Sequence, residues 1–240
     1  DVFAHMYDCP AEHIPLEDDF TIDITKYFAK GKTVVIANPN AQTGIALDVG
    51  DIEKIVQRNA DNIVIIDQAY VDFFGQNAIP LIKKYNDVVV VNTFSKSRSL
   101  AGARVGYIVA DEHLIADLNK VKYSFHPYNV NTISMLLAKN AMEDEDYFTQ
   151  CVSKIIAARE EMSEELKKLG FTVLPSSANF VLARTDKMGG KQLYEKLKEN
   201  GILVRHFSDR RIDDFVRITV GTDEETKILI KTIRNILESK

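Results

Sequence analysis

At 240 residues, with 45% hydrophobic and 27% charged side chains, the chain has the make-up of a soluble globular protein with room for a sizeable core. Its 30 Lys and Arg against 35 Asp and Glu leave a net charge of −5, and no basic stripe stands out, which argues against nucleic acid as a partner. No run is long enough to span a membrane and no signal-peptide pattern opens the chain, while Cys9 and Cys151 lack metal or disulfide spacing, so a reduced cytoplasmic setting is expected.

Short apolar runs alternate with longer amphipathic segments, the pattern of βαβ units and a mostly parallel sheet in an α/β protein. Thr33 to Ala37 reads as a buried strand, followed by a polar loop from Asn38 to Gly44. A helix from Asp51 to Asn59 carries Ile52, Ile55 and Val56 on one face. Ile63 to Ile66 is the next strand and ends at Asp67; Val88 to Val91 is another and leads into Ser95, Lys96 and Arg98. Arg104 to Val109 reads as a further strand, and Asp111 is placed to cap a helix bearing Leu114, Ile115, Leu118 and Val121.

The second half changes character. Phe148, Val152, Ile155, Met162, Leu166 and Leu169 recur at helical spacing, with Gly170 placed to end the helix. Strands are expected at Phe171 to Leu174, Asn179 to Ala183, Ile202 to Arg205 and Val216 to Val220, with a flexible turn at Asp186 to Lys191 and a helix from about Gln192 to Asn200. Thr222 and Glu225 form a capping box for a last helix whose apolar face holds Ile228, Leu229, Ile233 and Ile236. The expected division is a large α/β domain over residues 1–145 and a small α+β domain over 146–240.

The polar residues gather after strands, and in open α/β sheets ligands bind beyond the carboxyl ends of the strands. A lysine directly after a buried strand must be solvated, paired or chemically used. Around Lys96, Ser95 and Arg104 supply an anion clamp, and Gly102 and Gly106 allow close backbone approach. A buried carboxylate at Asp67 needs a cation or several donors, or else it serves as a helix cap. Ser95 and Lys96 make a poor hydrolase pair, because adjacent residues in an extended segment point opposite ways. His5, His13, His113, His126 and His206 show no metal spacing.

The segment Ser95-Lys96-Ser97-Arg98-Ser99-Leu100-Ala101-Gly102 resembles the Schiff-base loop of fold-type I aminotransferases that use pyridoxal phosphate, and is most similar to that of histidinol-phosphate aminotransferases. Asp67-Gln68-Ala69-Tyr70 resembles the family's Asp-Glu-Ala-Tyr, and Asn38-Pro39-Asn40-Ala41-Gln42-Thr43-Gly44 its Asn-Pro-Asn-Asn-Pro-Thr-Gly loop. The resemblance implies that Lys96 forms the internal aldimine and shuttles the proton at Cα, that Asp67 pairs with the pyridine nitrogen, and that Tyr70 donates to the ring's phenolic oxygen. Ser95 and Arg104 would bind the cofactor phosphate. Ala41 stands where the family often has the asparagine that contacts that phenolic oxygen, so Asn40 is the substitute candidate. Arg217, in a segment resembling Leu-Arg-Ile-Thr-Val-Gly-Thr, and Arg205 would hold a phosphate or carboxylate of the substrate; Arg184 has no such motif.

The implied reaction is amino transfer between L-histidinol phosphate and 2-oxoglutarate by a homodimer, in histidine biosynthesis. Threonine-phosphate decarboxylases and aromatic or aspartate aminotransferases share these cofactor residues. The start at Asp1, in a stretch resembling the middle of the catalytic domain, leads us to expect a fragment lacking an N-terminal arm, a phosphate-cradling helix and a tyrosine given across the dimer. Such a fragment could also be folded and non-catalytic, with apolar surface laid bare.

Overall fold

A computed structural model describes residues 2–238. Helix α1 (Val2–Met6) buries no side chain. Strands β1 (Val34–Ala37), β2 (Val64–Asp67) and β3 (Val88–Thr93) run parallel, as expected, and β4 (Gly106–Ala110) completes the first sheet antiparallel to β3. Val34, Val64 and Val88 share one row of this sheet, and Ile36, Ile66 and Val90 share another on the same face. Helix α2 (Val49–Arg58) lays Ile52, Ile55 and Val56 over that face. Each such side chain contributes about 1.5–3 kcal/mol on burial, so this face forms the core.

The opposite face is left more open. Val35 is 64% exposed there. Helix α3 (Glu112–Phe125) is capped by Asp111, whose carboxylate accepts from the His113 amide at 3.2 Å. Leu114, Leu118 and Val121 of α3, with Ile65, Val91 and Ile108 of the sheet, line an apolar cavity of about 310 Å³. Helix α4 (Thr132–Glu143), capped by Asn131, is an element the sequence reading did not anticipate.

Helix α5 (Glu145–Lys168) ends where Gly170 takes a φ of 87°, a left-handed conformation open to glycine. It leads into a second sheet of β5 (Phe171–Val173), β6 (Phe180–Thr185), β7 (Arg205–His206) and β8 (Val216–Thr219), paired antiparallel in the order β5-β6-β8-β7. Helices α6 (Gly190–Glu199) and α7 (Asp223–Glu238) join α5 over one face, where Leu166, Leu193, Leu197 and Ile233 pack on Val181, Val216 and Ile218. The Thr222 and Glu225 capping box forms as read: the Thr222 amide donates to the Glu225 carboxylate at 2.7 Å, and the Glu225 amide to the Thr222 hydroxyl at 3.3 Å.

Four expectations are corrected. The strand read from Arg104 starts at Gly106, because Arg104 adopts φ 57° as the cap of a 3-10 turn over Ala101–Ala103. The run from Ile202 to Arg205 pairs only through Arg205 and His206, since Ile202 and Val204 pack against the core without joining the ladder. Gly190 opens α6 instead of lying in a flexible turn; it is buried, and a Cβ there would meet the Asp213 carbonyl oxygen at 2.6 Å. Ile228 faces solvent, and Ile230 takes the core position beside Leu229.

The two sheets meet through an apolar cluster of Tyr70, Phe73, Val152, Ala178 and Phe180. Buried Arg159 of α5 braces this junction by donating to the carbonyls of Ala178 at 3.0 Å and Phe73 at 3.3 Å. A guanidinium in that position satisfies backbone acceptors from both halves of the chain.

Candidate active site

Three loops leave the carboxyl ends of β1, β2 and β3 and converge. The first is pinned by Asn38, whose side chain donates to the Leu47 carbonyl at 3.0 Å and accepts from the Leu47 amide at 2.7 Å; the Asn38–Pro39 peptide is cis. Asn40 directs its side-chain oxygen inward, accepting from the amides of Gln42 and Thr43 at 3.0 Å each and from the Thr43 hydroxyl at 3.1 Å. That leaves its amide nitrogen as the polar group to offer a ligand.

Asp67 closes β2 and is exposed, not buried as the sequence reading supposed. Its register with Ala37 and Val91 puts it on the face away from α2, and its carboxylate accepts only the Ala69 amide, at 3.0 Å, among the described residues. Gln68, on the α2 side, is 1% exposed and accepts from the Ala78 amide at 3.3 Å, while its side-chain nitrogen is buried without a partner.

Beyond β3 the backbone turns sharply. Ser95 is held by Thr93, whose hydroxyl donates to the Ser95 hydroxyl at 3.0 Å and accepts the Ser95 amide at 3.1 Å. The Lys96 ammonium lies 5.1 Å from the centroid of the Tyr70 ring. Tyr70 is buried and meets Phe180 of β6 edge-on at 5.4 Å. The Arg217 guanidinium sits 4.7 Å from the Phe180 ring and donates to the Ala41 carbonyl at 2.7 Å, which returns the path to the Asn40 loop. Lys96, Tyr70, Phe180, Arg217 and Ala41 therefore form one continuous line across both sheets.

Arg205 stands opposite Arg217 in the β7–β8 register, so the two side chains share a face, and each guanidinium lies 5.4 Å from the Phe207 ring. Arg205 is exposed, whereas the Arg217 Nε is buried without a partner. Arg184 pairs with Asp186 at 3.8 Å and leans on Phe215. Arg104 is exposed and folds onto its own turn, donating to the Ala101 carbonyl at 3.0 Å. The structure thus brings together Lys96, Tyr70, Arg217 and the Asn40 loop, while the Arg104 guanidinium turns back onto Ala101.

Several contributors escaped the sequence reading. Arg98 stacks on Phe148 at 3.5 Å and donates to the Ala141 carbonyl at 2.5 Å and to Glu145 at 3.2 Å, fastening the lysine loop to α4 and α5. Phe180, Phe207, Asp72 and Ser97 are the others. Ser97 and Arg98 lie within the lysine-loop motif, but their partners Asp72, Ala141, Glu145 and Phe148 are distant in sequence, so the motif does not reveal what they do.

The donor set suits pyridoxal phosphate. An amine, an exposed carboxylate, a hydroxyl-bearing turn and an amide lie at the ends of adjacent strands, and a guanidinium with an orphaned buried nitrogen faces them. Among the described residues, no group of three or more His, Cys, Asp or Glu could hold a metal ion, and no helix is long and apolar enough to cross a membrane.

The family model for class I and II aminotransferases matches residues 2–233. The histidinol-phosphate aminotransferase of Brachyspira hyodysenteriae is 45% identical over 239 residues, covering 99% of this chain and 68% of that protein. The chain spans about two thirds of the length of the curated relatives it matches. Among solved structures, a putative histidinol-phosphate aminotransferase from Erwinia carotovora superposes with a TM-score of 0.87 at 25% identity, over 98% of this chain and 70% of that one. An L-threonine-O-3-phosphate decarboxylase from Porphyromonas gingivalis gives 0.81 at 27%, over 98% and 73%.

Proposed function

The chain belongs to the histidinol-phosphate aminotransferase family, within the class I and II aminotransferases, and on that footing we propose that it serves amino transfer from L-histidinol phosphate to 2-oxoglutarate in histidine biosynthesis. The observation that carries the reading is the Lys96 amine poised over buried Tyr70, with Asp67 and the Asn40 loop at the ends of the neighbouring strands. When bound, pyridoxal phosphate supplies an electrophilic carbonyl and an electron-accepting ring. Lys96 is the amine that anchors it and then takes and returns the proton at the donor's Cα. With the cofactor bound, Asp67 would supply a charge for the ring nitrogen, Tyr70 and the Asn40 amide would be donors for the ring's oxygen, and Ser95 with Arg104 would hold the phosphate. For Arg104 this requires its side chain to leave Ala101. Arg217 and Arg205 take the substrate's anionic end. Residues 1–145 serve as the cofactor domain and 146–240 as the small domain.

The test is product analysis with the purified chain and pyridoxal phosphate. Glutamate from 2-oxoglutarate appears with histidinol phosphate as donor, and faster than with aspartate or aromatic donors. Release of carbon dioxide from threonine phosphate without glutamate would move the chain to the decarboxylases; no turnover with any of these would leave it a folded, inactive relative.

A homodimer and a cytoplasmic setting complete the proposal. The first is supported by exposed Val121, Tyr123 and Phe125 on α3 and Ile133, Met135 and Leu136 on α4, an apolar surface of the kind that partners cover. Sedimentation velocity should show a dimer at micromolar concentration; a monomer at every concentration tried would refute it. The second is supported by the two unpaired cysteines, Cys9 and Cys151, and would fail if cell fractionation recovered the protein outside the cytoplasm.

A further inference from the structure

The Lys96 loop is fastened from two sides. Arg98 fastens it to α4 and α5, and on the other side the Ser97 hydroxyl donates to the Asp72 carboxylate. Ser97 directly follows Lys96 and is 3% exposed; Asp72 lies two residues beyond Tyr70, in the 3-10 turn Val71–Phe73 that Tyr70 itself caps. Among the described residues this is the one hydrogen bond between the lysine loop and that turn. The loop's internal bonds, among them Leu100 amide to Phe94 carbonyl at 2.9 Å, Ser99 amide to Lys96 carbonyl at 3.1 Å and the Thr93–Ser95 pair, shape its backbone without tying it to the turn that carries Asp72.

Resting on the reading of Lys96 as the attachment point, we infer that Asp72 and Ser97 are positioning residues, a strut that sets the Lys96 amine over the Tyr70 ring. A hydroxyl bonded to a carboxylate is one of the stronger hydrogen bonds a protein makes, and burial of Ser97 shields it from competing water. The carboxylate's surroundings fit the same role. The Asp72 carboxylate faces the lysine loop through its bond from Ser97, and the partly buried Tyr107 phenol on the neighbouring strand is held above its ordinary range first by burial and then by the Asp72 charge, with Arg98 opposing. The Phe73 carbonyl of the same turn accepts from Arg159 at 3.3 Å, so the strut's far end rests on a braced element. Reactions of a lysine amine require near-attack geometry, and displacement by roughly 1 Å can lower a rate by about 10²-fold.

The experiment reads Lys96 without turnover. The parent, Asp72→Ala, Ser97→Ala, the double variant and Asp72→Asn are incubated with pyridoxal phosphate, reduced with borohydride, and the label is located by peptide mass, with Tm measured for each. The parent labels at Lys96. Asp72→Ala and Ser97→Ala label it about 10-fold more slowly, and the double variant is no slower than either, since one strut is broken in all three. Asp72→Asn, whose amide oxygen still accepts the Ser97 proton, stays within about 3-fold of the parent. Labelling of both alanine variants at the parent's rate overturns the inference, as does a loss in Asp72→Asn equal to that in Asp72→Ala and matched by Tm. A parent that does not label at Lys96 overturns the assignment of Lys96 itself, and the strut with it.

Discussion

Lys96→Ala loses the borohydride-fixed label and lowers amino transfer by about 10⁴-fold or more, because the covalent anchor and a general base worth about 10²–10⁴-fold disappear together. The fold should tolerate the change. Lys96 is half-buried, and its cation–π contact with Tyr70, 5.1 Å from the ring centroid, contributes about 0.5–2 kcal/mol. Lys96→Arg separates the two roles: the cation over Tyr70 is kept, and the nucleophilic amine is gone. Rate assays on both variants, with unfolding curves beside them, decide the matter. Equal and near-complete loss of turnover in both, with stability within about 1–2 kcal/mol of the parent, is the expected pattern. Turnover in Lys96→Ala within about 10²-fold of the parent, the size of the weakest general-base effect, would remove Lys96 from the chemistry.

What could be seen in advance is what depends on neighbours in sequence. The apolar runs ending at Ala37, Ile66 and Val91 identify the parallel strands, and the polar residues that follow each run mark where the loops converge. The capping box at Thr222 and Glu225 and the terminating Gly170 are equally local. Arg104 shows the limit. The apolar run after it suggests a strand, but its left-handed φ of 57° follows from how the turn after Lys96 must bend to bring Gly106 against β3. A Cβ at Gly106 would meet the Asn92 carbonyl oxygen at 2.8 Å, so the close approach of β4 rests on that glycine.

Helix α4 was hidden for a different reason. Ile133, Met135, Leu136 and Leu137 form a nearly continuous apolar run and all are exposed, so there is no single buried stripe for helical periodicity to reveal. A carboxylate that ends an apolar run reads as either buried or a cap; register places Asp67 on the open face, where it accepts the Ala69 amide. The line from Lys96 to Arg217 is the least legible part of the site. It depends on Phe180, which reads locally as one more strand residue and becomes the link only when the second sheet docks on Tyr70.

Arg217→Gln raises the KM for histidinol phosphate by about 10–100-fold with a smaller change in kcat, the loss expected when one or two charge-assisted contacts worth about 1.5–3 kcal/mol are removed from a bound anion. The structure supplies the reason. Arg205 and Arg217 face each other across β7 and β8, and among the described residues neither meets a carboxylate, so two like charges are held side by side around Phe207. Like charges in directly opposed strand positions repel, and a shared anion relieves the repulsion. Arg217 is also fixed in place: one arm bonds the Ala41 carbonyl, its guanidinium lies 4.7 Å from the Phe180 ring, and its buried Nε lacks a partner. Lysine cannot reproduce that fork, so Arg217→Lys should behave more like glutamine than like the parent. Arg205 is exposed, and Arg205→Ala should shift KM by only about 3–10-fold, as expected of a solvated charge. Histidinol without its phosphate supplies the control. If Arg217→Gln leaves the KM for histidinol phosphate and for 2-oxoglutarate unchanged, Arg217 holds no substrate anion and is a brace between β8 and the Asn40 loop.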